Sequence, residues 1–95
     1  MKIAKVGKMH IFMTAHAIER AELREVDTGK IAAMVMAMGR DKLAELIGND
    51  IIITSDIWKI SIVASVKKST VRIFTVVAEA HRFTTDVDKI YIKLA

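Results

Sequence analysis

Few residues in this chain could carry chemistry. It has no cysteine, and its histidines are His10, His16 and His81. Thiolate metal sites and disulfides are therefore excluded. The histidines share no local spacing and form no His-x-x-x-His pair, so no metal centre is expected. No glycine-rich phosphate loop is present, and no cofactor is expected. Two chemistries remain. Histidine can exchange protons near neutral pH, and arginine can hold a phosphate through its planar fork. The segment Thr14-Ala15-His16-Ala17-Ile18-Glu19-Arg20-Ala21-Glu22-Leu23-Arg24 concentrates both. Read as a helix capped by Thr14, it sets His16, Arg20 and Arg24 four residues apart on one face. The ladder drifts by roughly 40° per step. Arg20 has no carboxylate three or four residues away, and Arg24 has only Asp27. Like charges at this spacing repel by roughly 0.2–0.5 kcal/mol. Local pairing does not explain the ladder. Either it is a solvated or distantly paired basic face, or it is aimed at an anion such as a phosphate.

Metal-independent RNA cleavage needs a base for the 2′-hydroxyl, an acid for the leaving oxygen and cations for the phosphorane charge. His16 and Arg20 can supply a base and a clamp. His81, Arg82 and Arg72 can supply a second set from the later part of the chain. His10 reads as structural or simply exposed. Trp58 reads as a core indole rather than a base-stacking platform. Lys67-Lys68 sits at a hairpin tip, solvated or against a phosphate backbone.

The composition bounds these readings. Ninety-five residues make one domain, 1–95, and a hydrophobic content of 53% suffices for a core. A net charge of +4 favours RNA or another polyanion as partner, or an acidic protein. No apolar run approaches the roughly 18 residues of a membrane span, and the N-terminus does not read as a signal peptide. No membrane association is expected, and the cytoplasm is the default location.

The elements that must position these residues follow from hydrophobic period. Residues 1–9 read as an extended arm or frayed strand, and 10–13 as a short strand. Helices are expected near 15–25 and 30–47, broken at Val26-Asp27-Thr28-Gly29 and kinked at Gly39. Period-two strands follow near 57–66 and 70–78, with Ile51-Ile52-Ile53-Thr54 before them and an edge strand at 89–94. The expected fold is α+β, with two N-terminal helices packed on one face of a three- to four-stranded antiparallel sheet. The expected core is Met34, Val35, Met38, Leu43, Leu46 and Ile47 against Ile60, Ile62, Ile73 and Val77.

Thr14, His16, Ala17, Arg20 and Arg24, followed by Ile73-Phe74-Thr75-Val76 in a central strand, resemble the RelE-like group of the barnase–colicin–RelE ribonuclease superfamily. The likeness spans about residues 10–78. It implies helices on one sheet face and a concave surface for RNA. On that reading His16, Arg20 and His81 are the candidate catalytic residues, and Arg24, Arg72, Thr75 and Arg82 hold substrate. The expected function is RNA binding, extending to a metal-independent endoribonuclease or toxin-like domain with an antitoxin as protein partner. The alternative is a non-catalytic basic module of phage type that engages a host protein or nucleic acid. A homodimer through the edge strand 89–94 is a further expectation.

Overall fold

The computed structural model describes residues 1–77 and 89–94. Elements run β1 (Lys2–Val6), β2 (Met9–Met13), α1 (Ala15–Leu23), α2 (Thr28–Glu45), β3 (Asp50–Ser55), β4 (Ile60–Val66), β5 (Thr70–Val77) and β6 (Lys89–Leu94).

The class is α+β, but the sheet corrects the expected architecture. Six strands lie in the order β1-β2-β5-β4-β3-β6. The sheet is mixed, not antiparallel: β2 pairs parallel with β5, and β3 parallel with β6. Nor do the helices begin the chain, since two strands precede them. Three physical causes account for the difference. Lys2–Val6 is no loose arm, because Gly7 closes a two-residue turn onto Met9. Its φ of +59° suits the first position of a type II′ hairpin turn. The two helices then carry the chain across the sheet, which lets β5 return beside β2 in parallel. The strand Lys89–Leu94 is an edge as expected, yet it adds parallel to β3.

Local signals place the helices. The Ala17 amide donates to Thr14 Oγ1 at 3.1 Å, and the Thr14 amide donates to the Ile73 carbonyl at 3.0 Å, seating the start of α1 against β5. Ala17 and Ala21 are fully buried, and their small side chains let α1 lie close to the sheet. Asp27 Oδ1 accepts from the Gly29 amide at 2.9 Å and caps α2. Gly39, at φ +79° and ψ +160°, breaks α2 into two segments. Leu43 and Leu46 of the second segment still reach the core.

The core lies between the helices and one sheet face. Ile11, Met13, Ile51, Ile53, Ile62, Ala64, Val71 and Ile73 meet Ile31, Met34 and Val35 there. Four core expectations change. Ile47 follows the C-cap residue Leu46 and is 42% exposed. Met38 and Val77 are half-buried. Trp58 belongs to the β3–β4 turn, not to a strand, and is 40% exposed.

A bulge explains Val77. Val63 faces Thr75 and Ala64 faces Ile73, so Phe74 has no opposite number. The extra residue puts Phe74 and Thr75 on the same side and turns Val76 into the core. Strict alternation would have put Thr75 beside Ile73.

Ile73 touches both helix and sheet neighbours at the centre of this layer. Ile73→Ala should cost about 2–5 kcal/mol in urea unfolding, through lost transfer energy and the cavity left behind. A loss under about 0.5 kcal/mol would place Ile73 outside the core.

Candidate functional site

The expected site residues divide between the two sides of the sheet. His16 and Arg20 lie on α1, in the helical layer. Arg20 Nε donates to His16 Nε2 at 3.5 Å, a long contact on an exposed surface. It needs Nε2 unprotonated and, at that length, holds the ring only weakly. Arg24 is the C-cap of α1, and its amide donates to the Arg20 carbonyl. Asp27, its one near carboxylate, is engaged with the Gly29 amide. Ion pairs among the described residues join Arg40 to Asp41, Lys42 to Glu45 and Lys93 to Asp56. None of them involves Arg20, Arg24 or Arg72.

Arg72 and Thr75 project from β5 on the face away from the helices, since Val71, Ile73 and Val76 take the core side. The sheet therefore separates them from the His16–Arg20 pair. His81 and Arg82 lie outside the described residues. Among the described residues, no three His, Asp or Glu side chains gather as metal ligands.

A different constellation forms on that second face. Phe12 and Arg72 are direct partners across the parallel β2–β5 pair, where side chains stand beside one another. Phe74, 38% exposed, follows on β5. With Asp50, Ser65, Lys67 and Thr70 these residues line a depression of about 440 Å³. Arg72 and Lys67 are exposed, and Phe12 is half-buried. The same face is not open throughout: Ile52, Thr54, Ser61 and Ser65 on β3 and β4 are buried, and Thr54 shares a 2.7 Å hydroxyl hydrogen bond with Ser61.

The basic character extends towards the β1 edge. His10 pairs with Thr70 on one side and with Lys5 on the other, and Lys2 pairs with Phe12. Lys2 foremost, then partial burial and Lys5, hold the His10 imidazole below its ordinary pKa of 6.5. The His10 and Phe12 rings sit 6.3 Å apart at 37°. Sequence reasoning assigned His10 no role and left Phe12 inside a short apolar strand. The signal available was period two: in Met9-His10-Ile11-Phe12-Met13, His10 and Phe12 share the face opposite three buried residues.

No protein-family model, curated protein or solved structure matches this chain. Among the described residues, no helix is long and apolar enough to cross a membrane.

The cation cluster around His10 sets a pH dependence. The folded imidazole takes up its proton less readily than the unfolded one. Folding is therefore penalised as pH falls through 6.5, and the penalty is absent well above that value. Lys2→Gln should raise the His10 midpoint towards 6.5 in an NMR titration of the ring protons. A midpoint that does not move would show that Lys2 exerts no field on the ring.

Proposed function

We propose that this protein binds RNA through the β2–β5 half of the sheet face opposite its helices. The observation that carries the reading is the Phe12–Arg72 pair, with Phe74 and Lys67 around one depression. Flat rings on a sheet accept unstacked bases, and cations beside them accept the linking phosphates. Lys2 and Lys5 on β1, paired with Phe12 and His10, continue the positive surface to the sheet edge. The net charge of +4 favours the encounter with a polyanion. The likeness of Thr14–Arg24 and Ile73–Val76 to RelE-like domains supports the same partner class.

Binding has more support than cleavage. The sheet stands between His16 and Arg72. Endoribonuclease or toxin-like activity would need His16 and His81 to act together at one phosphate. The non-catalytic alternative, a basic module that engages a host protein, would use the same exposed Phe74 and Arg72.

Filter binding of a single-stranded RNA at several salt concentrations tests the proposal. Phe12→Ala should weaken binding by about 1–3 kcal/mol with little change in salt dependence, because it removes a stacking ring. Arg72→Ala should lower the log–log salt slope by about 0.7, the loss of one phosphate contact on a single strand. Wild-type protein that shows no salt-dependent RNA binding would end the proposal. Incubation of the same RNA with wild type and His16→Ala protein separates the enzyme reading, which requires cleavage by the first and none by the second.

A further inference from the structure

A second depression lies on the helix side of the sheet, where the α1–α2 link meets the β3–β4 turn. Arg24, Glu25, Asp27, Lys30, Trp58 and Lys59 line about 210 Å³ there. None of these residues lines the sheet-face depression. Three features set the place apart. Trp58 is 40% exposed, a large apolar surface left to solvent. Arg24, Lys30 and Lys59 surround it, and no ion pair of the described residues includes any of them. The lining sets three cations, Arg24, Lys30 and Lys59, against two carboxylates, Glu25 and Asp27, a local excess of one positive charge.

The backbone adds an independent observation. Glu25 and Lys59, at φ +55° and +56°, are the non-glycine residues with positive φ among those described. Both line this one depression, from segments that meet only in the fold. A left-handed backbone costs free energy in residues with a Cβ, and such residues cluster at functional sites.

We infer that the Trp58 depression binds a nucleotide, its ring stacked on the indole and its phosphate held by Lys59, Arg24 and Lys30. An aromatic platform beside unneutralised cations matches a flat ring that carries an anion. A volume of about 210 Å³ is below the range for drug-sized ligands, so the depression encloses only part of a nucleotide, the base against Trp58. The nucleotide is either free or one residue of a strand, and the chemistry is shared.

The chain has one tryptophan, so fluorescence excited selectively in the indole reports on the surroundings of Trp58. The full chain is titrated with adenosine 5′-monophosphate and, separately, with a short oligoadenylate. Saturable quenching by the monophosphate assigns a free nucleotide, and quenching by the oligomer alone assigns a nucleotide within a strand. Lys59→Gln, on an exposed turn, should weaken the quenching while leaving the melting temperature unchanged. Trp58→Ala, followed by calorimetry, should weaken binding by about 5- to 150-fold, the range for loss of one stacking ring. The Phe12→Ala/Arg72→Ala double variant should still be quenched by whichever titrant quenches the wild type, which separates this site from the sheet face. Absence of saturable quenching by either titrant would overturn the inference. So would quenching by both that is undiminished in folded Lys59→Gln.

Discussion

Strand β5 pairs on both edges, parallel with β2 and antiparallel with β4, and the rest of the molecule is arranged around that double pairing. Its backbone groups are satisfied only in this position, because buried donors and acceptors left unpaired would each cost about 1–3 kcal/mol. The position fixes the inside and outside of the sheet. Val71, Ile73 and Val76 face the helices, and Thr14 is tied to Ile73 so that α1 starts directly over the strand. Arg72, Phe74 and Thr75 must then face the other way. The bulge at Phe74 adds a residue to that outer set. Phe12 comes beside Arg72 only because β2 and β5 run parallel in this register. A slip of one residue would send Arg72 into the core and Ile73 to solvent.

Much of this was legible in the residues. The change of hydrophobic period near Gly48 marks the passage from helices to strands, and Thr14, Asp27 and Gly39 mark the helix ends and the break in α2. The sheet order was not legible. Parallel pairing of β2 with β5 joins segments almost sixty residues apart, and nothing local in His10–Met13 states which strand it meets. The bulge was hidden for a related reason, since Ile73-Phe74-Thr75-Val76 reads equally well as strict alternation.

The candidate site was legible in its chemistry and not in its place. His16 and Arg20 lie along α1 and touch, while Arg24 is the residue that ends it. A cation that lacks a carboxylate in sequence can still face solvent in space, and the helix gives no sign of which side of the sheet it will cover. The sheet-face residues were overlooked because each is ordinary alone. Phe12 passes for core and Arg72 for a solvated charge. Their meaning comes from adjacency across a parallel pair, which a linear reading cannot see. Trp58 shows the same limit: extending the period-two pattern of β4 backwards makes it core, but the strand begins at Ile60 and the indole lies in a turn.

Two basic, aromatic surfaces therefore lie on opposite sides of the sheet, and the one on the β2–β5 face carries the proposed function. The most direct measurement is an amide chemical-shift map of the labelled protein titrated with a short single-stranded RNA. Binding at the sheet face predicts that the largest shifts cluster at residues 10–12, 65–67 and 70–74. Shifts concentrated instead on residues 16–24 of α1, with the β2–β5 amides unmoved, would contradict it.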